Sequence, residues 1–176
     1  MTTTFRLEHQ FPDIPVDLFE RYLNHPDLIR MLDAMPAFRS RELVEKEDLG
    51  GGKMRWRFKV VAGGEIPPAA RKVMNEDMLT WWEDTTFVPA EHCIYWTIVP
   101  VKMQSKFECK GTWKLTPSGE GTRRVIDGEL TVKVPLVGKV VETFIVGELK
   151  RNYDVEPDVQ RKFYRKMKEQ ETKADA

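Results

Sequence analysis

Glu148 is the side chain in this sequence best placed to do chemistry. On a helical projection of residues 137–155 it falls between Val141 and Phe144, in the middle of an apolar stripe, with Arg151 and Asn152 following on the same side. A carboxylate that faces a low-dielectric cavity has a raised pKa and can serve as acid, base or polar anchor. The same residue, next to Arg151 on a helix face, also reads as an ordinary ion pair at a solvated edge. Trp56, Phe58, Phe107 and Trp113 occupy the apolar faces of strongly alternating strands, with Leu130 on a further strand and Val141 and Phe144 opposite them on the helix. These seven residues and Glu148 are the candidate set for holding an apolar molecule. The aromatics serve equally well as plain core, since each large side chain buried contributes about 1.5–3 kcal/mol.

Other chemistries find little support. His9, His25 and His92 match no metal-ligand spacing; His25, before Pro26, reads as a loop residue, and His9 and His92 as sheet positions. Cys93 and Cys109 form no C-x-x-C pair, and both read as buried thiols in strands. Gly50-Gly51-Gly52-Lys53 lacks the spacing and the Lys-Ser/Thr ending of a phosphate loop and precedes a strand, so it is a hairpin turn. No serine stands in a G-x-S-x-G context. The sequence therefore predicts no metal, no cofactor and no assignable catalytic residue.

The chain has 176 residues, enough for one ordinary domain. Its 28 Lys and Arg balance 28 Asp and Glu, and it is 41% hydrophobic. Such neutrality argues against nucleic acid as a partner, and the apolar content against disorder. No basic region followed by an apolar run marks the amino terminus as a secretion signal, and no stretch approaches the ~18 apolar residues of a membrane span. A cytoplasmic protein without integral membrane association is the expectation. Two basic features stand out: a stripe of Lys53, Arg55, Arg57 and Lys59, and a tail, residues 150–173, with eight basic against five acidic residues. Pairing of the stripe with Glu42, Glu45 and Glu47 is the simpler reading than an anionic partner.

The elements that must position the candidates follow from the hydrophobic period. Residues 3–11 alternate as a strand. Two short helices follow, one after Asp13 with Pro15 near its first turn, the other from Pro26 to Pro36. Strands are then expected at 38–48, 53–60, 68–75, 78–88, 91–101, 106–116 and 122–134. After Pro135 the period becomes helical, to about residue 155, where Pro157 kinks the helix or starts a second segment. The fold class is α+β: a curved antiparallel sheet of about seven strands gripping a long carboxy-terminal helix, with two short helices after the first strand. Residues 1–156 form the domain, and residues 157–176 a helical extension and frayed tail.

This order resembles the helix-grip superfamily, which includes START domains, birch-pollen-allergen-like proteins and polyketide cyclases. The resemblance covers residues 3 to about 155. It rests on element order, on His25-Pro26 opening the second helix, on the hairpin at Gly50-Gly51-Gly52, and on the helix entered through Val134-Pro135-Leu136-Val137-Gly138. The chain looks most like uncharacterised bacterial members. The resemblance implies binding, for carriage or sensing, of a hydrophobic or lipid-like small molecule between sheet and helix. Alternatives are a cyclase- or hydratase-type enzyme using the same cavity through Glu148, and a co-chaperone-like protein-interaction module with an exposed apolar patch.

Overall fold

Alternating side chains build one sheet, and the glycines within it let the sheet bend. The computed structural model describes residues 2–63, 79–102, 104–136 and 138–174. Among them are seven strands: β1 (Thr3–Phe11), β2 (Phe38–Gly50), β3 (Lys53–Ala62), β4 (Thr80–Val88), β5 (Cys93–Pro100), β6 (Phe107–Ser118) and β7 (Gly121–Val132). Their order across the sheet is β1-β7-β6-β5-β4-β3-β2, and every neighbouring pair is antiparallel. Between β1 and β2 lie α1 (Val16–Arg21) and α2 (Pro26–Asp33), and α3 (Gly138–Ala174) follows β7. This is the helix-grip arrangement that the element order implies. The strand expected at 68–75 lies outside the described residues.

Local chemistry fixes the ends. Pro26 opens α2 at a position where its missing N–H costs nothing, and the His25 ring caps the helix by accepting from the Asp27 N–H at 3.2 Å. Gly50, Gly51 and Gly52 all have positive φ, so the β2–β3 turn is a hairpin as its composition implies. His92, expected within a sheet, instead sits in the turn between β4 and β5 with φ of 49°. The middle of the sheet is bare on its inner side. Gly111 pairs with Gly128, and a Cβ on either would collide with the rings of Trp96 or Phe5, which lie directly over them.

Four buried clusters line the interior, the smallest being Leu79 with Val141. Phe11, Ile14, Phe19, Leu28, Leu115, Phe163, Tyr164 and Met167 fill one end between the sheet, the short helices and the far half of α3. Phe5, Trp96, Cys109, Ile126, Leu130 and Val146 occupy the middle. Trp56, Phe58, Val60, Phe87 and Ile94 pack under Leu23 and Ile29 of the short-helix region. On the outer face, Arg55 pairs with Glu45 and Glu47, and Arg57 with Asp84.

The terminal helix departs from the sequence reading. It does not stop near residue 155 but runs 37 residues with Pro157 inside it. A proline within a helix deprives the carbonyl four residues earlier, here Tyr153, of its N–H partner. The His9 ring meets that carbonyl from β1. Beyond Pro157 the helix is held by Tyr164, whose hydroxyl donates to the Phe19 carbonyl at 3.1 Å, and by Arg161, which donates to the Gln10 carbonyl at 2.8 Å. Tertiary contacts thus carry the helix through a residue that the isolated sequence reads as a kink or the start of a second segment.

Candidate functional site

The two ends of the sheet–helix interior differ. Where α1 and α2 insert, the space is filled. At the other end, under the first half of α3, an apolar pocket of about 430 Å³ remains. Trp81, Ile98 and Phe107 come from the sheet; Val141, Phe144, Ile145 and Leu149 come from the helix; Met35 to Phe38, following α2, close one side. The helix residues fall at three- and four-residue spacings, which places them on one face. The sheet residues lie near the strand ends, beside Ala62, Pro100 and Val132.

Of the eight sequence candidates, Phe107, Val141, Phe144 and Glu148 line this pocket. Trp56, Phe58 and Leu130 do not; all three are fully buried in the core clusters. Trp113 packs between the middle cluster and the Trp56 cluster. Alternation tells which face of each strand points inward but not which part of the sheet stands over the hollow. Sequence reasoning missed Trp81, Ile98, Ile145 and Leu149 as lining residues, although the aromatic pair Trp81-Trp82 is a signal that could have found the first.

Glu148 sits at the rim. Its side chain is 45% exposed and ion-paired with Arg151, the next helical turn. Solvent reaches it, so the geometry matches the ion-pair reading. The helix does bury two other carboxylates. Glu142 accepts from Thr3 Oγ1 at 2.6 Å and from the Val132 N–H at 2.8 Å, clasping the start of α3 to β1 and β7. Burial pushes its pKa up, but those two hydrogen bonds and the Lys139 charge outweigh burial and leave it below the ordinary value.

Glu156 belongs to the most buried polar group. Arg124, on the inner face of β7, has a fully buried side chain. It donates to Glu156 at 2.5 and 3.0 Å and to Gln160 Oε1 at 2.8 Å, and it lies 3.2 Å from His9 Nδ1. Its guanidinium carbon is 4.6 Å from the centre of the Trp113 ring. Burial, and then the Arg124 charge, hold the His9 pKa down; the neutral ring can therefore accept from Arg124. Sequence does not single out Arg124, because a lone arginine in an alternating strand reads as a solvated residue. None of this group lines the pocket; it joins α3 to β7 and β1. The two thiols are buried, and burial raises the Cys109 pKa to about 12, which removes it as a nucleophile at neutral pH.

A long helix laid across a bent seven-stranded antiparallel sheet, with an apolar pocket between them, defines a helix-grip protein. Residues 6–163 match the family described as protein of unknown function DUF2505, and the chain belongs to that family. No curated protein matches it. Among solved structures it is similar to TTHA0849 from Thermus thermophilus, at 18% identity and a TM-score of 0.63, covering 92% of this chain and 97% of that one. It is similar to the Zhui aromatase/cyclase from Streptomyces sp. R1128, at 18% identity and 0.62, covering 94% of each. Norcoclaurine synthase from Thalictrum flavum follows at 18% identity and 0.58, covering 91% of this chain and 87% of that one. At these identities the likeness concerns the fold.

Proposed function

We propose that this protein binds a hydrophobic or lipid-like small molecule in the pocket between α3 and the sheet, as a cytoplasmic carrier or sensor. One observation carries the reading: the pocket at one end of the interior is lined almost wholly by aliphatic and aromatic side chains, while the other end is filled by the same kinds of residue. Apolar pockets of about 300–1,000 Å³ with a few polar groups at the edge suit small-molecule ligands. In this reading residues 1–156 form the ligand-binding domain and residues 157–176 its carboxy-terminal extension, of which 157–174 continue α3. Similarity to an aromatase/cyclase and a synthase agrees with a small-molecule site in this fold.

A cyclase- or hydratase-type reaction would need ionisable groups converging on a dry pocket. Among the described lining residues the charged groups are Glu148 and Arg151, paired with each other, and Lys102 and Lys106 in an exposed loop. That set favours binding over catalysis. Native mass spectrometry of protein purified from its host tests the proposal. A bound apolar species, released on denaturation, is the expected result. Uniformly empty protein that also takes up no added fatty acid or apolar dye contradicts it.

A further inference from the structure

Two polar atoms belonging to the pocket's lining residues are left without a partner. Oδ1 of Asn152 and Nε1 of Trp81 are buried, and neither has a hydrogen-bond partner among the described residues. Among the described lining residues these two are the ones with polar but uncharged side chains. A buried donor or acceptor left unpaired costs its desolvation with nothing in return, so native structures hold few of them. The other orphans among the described residues are Nε1 of Trp56, Trp96 and Trp113 and Nε of Arg124, all of them donors on residues that do not line the pocket. Trp81 taken alone is therefore one indole among four. Asn152 Oδ1 is the one orphaned acceptor of the set.

Its place on α3 sharpens the point. Asn152 stands seven residues after Ile145 and eleven after Val141, so it shares their face of the helix. The carboxylates one turn to either side are already engaged, Glu148 with Arg151 and Glu156 with Arg124. Val141, Ile145 and Leu149 show that aliphatic side chains suit this face, and asparagine is among the weaker helix formers. Folding by itself favours leucine at such a position. A residue that breaks the local rule without a gain to the fold marks a place where function is expected.

We propose that Asn152 is the polar anchor of the pocket, with the Trp81 N–H as a second contact, and that the ligand is a neutral, largely apolar ring compound carrying a hydroxyl group. A hydroxyl has one O–H to donate to Asn152 Oδ1 and lone pairs to accept from an indole N–H, so it suits both orphans. Phe38, Phe107 and Phe144 on the same wall suit a ring. An ionised carboxylate fits less well, because Arg151 is already held by Glu148 and a charge buried without a partner costs far more than a hydroxyl. The inference rests on the proposed apolar ligand and narrows its class.

Titration of the full chain with three naphthalenes of similar size tests the anchor: 2-naphthol, 2-methylnaphthalene and 2-naphthoate. A pocket that only removes apolar surface from water prefers the methyl compound. The original protein should instead bind 2-naphthol at least about fivefold tighter than 2-methylnaphthalene, and 2-naphthoate more weakly than 2-naphthol. Asn152→Leu should reverse the order of the first two. Trp81→Phe, which keeps a ring and loses the N–H, should weaken 2-naphthol about threefold and leave 2-methylnaphthalene unchanged; equal losses for the two strike Trp81 from the anchor. The second readout is Tm. Removing an orphaned acceptor relieves the fold, so Asn152→Leu should hold Tm level or raise it, whereas loss of a structural partner would lower it. No preference for 2-naphthol in the original protein, a preference that survives Asn152→Leu, tightest binding of 2-naphthoate, or a lowered Tm in Asn152→Leu overturns the anchor and leaves the apolar pocket standing. Binding of none of the three overturns the pocket reading instead.

Discussion

The two halves of α3 lie across the same sheet and meet it differently. Residues 156–174 bury Phe163, Tyr164 and Met167 against α1, α2 and β1, and hydrogen bonds from Tyr164, Arg161 and Lys168 to main-chain carbonyls fix their distance. Residues 138–155 are clasped at the start by Glu142 and present Val141, Phe144, Ile145 and Leu149 to a hollow. The short helices make the difference, because they supply the side chains that fill one end and stop short of the other. Between the halves stands Arg124 with Glu156, Gln160 and His9. A buried ion pair is poor evidence of added stability, but losing one partner leaves the other charged and dry. Its place here is that of a spacer that ties α3 to the inner face of β7 between the two halves.

Changes at the spacer should have the largest effect. Arg124→Ala is expected to cost about 3–5 kcal/mol in urea unfolding by leaving Glu156 unpaired. Arg124→Met combined with Glu156→Leu should recover most of that loss; if the double variant is no better than the single, the pair is more than a spacer. Phe163→Ala, at the filled end, should cost about 3–5 kcal/mol, whereas Phe144→Ala, which borders existing space, should cost clearly less. Equal losses would erase the contrast between the halves. Glu142 has a depressed pKa, so its contribution is present above its ordinary value of 4.5 and fades as pH falls through the lower folded value. Glu142→Gln should flatten that part of a stability–pH curve. The smallest effect belongs to His9. Its folded pKa lies below 6.5, so the unfolded chain takes up the proton first and stability declines as pH drops below about 6.5. His9→Gln should remove this slope while leaving stability near neutral pH little changed.

Much of the architecture was legible, and the reasons lie in particular residues. The alternation of Met54, Trp56, Phe58 and Val60 against basic neighbours permits only a half-buried strand, and Pro26 after His25 permits little but a helix start. Pro157 misled because local propensity cannot see Tyr164 or Arg161 reaching other elements, nor the His9 ring meeting the Tyr153 carbonyl. The pocket was half legible. Helical spacing led to Val141, Phe144 and Glu148, but Trp56, Phe58 and Leu130 share inward faces with Trp81 and Ile98; Phe58 and Leu130 even stand in one cross-strand row with Ile98, so only position across the sheet separates these three. That position depends on where α1 and α2 fold back, a long-range outcome with no local signature. Glu148 belonged to the right stripe, yet its side chain lies at the rim, within reach of solvent.

Ligand binding by the hollow half of the interior is the central claim. The most direct measurement is fluorescence titration of the full chain with an apolar probe, alongside the Ala62→Trp variant, which places an indole into the pocket from the end of β3. Saturable binding by the original protein, its loss in Ala62→Trp, and unchanged binding in Phe163→Tyr at the filled end are the predicted results. Equal binding by the original protein and Ala62→Trp would mean that the probe sits elsewhere and would contradict the central claim.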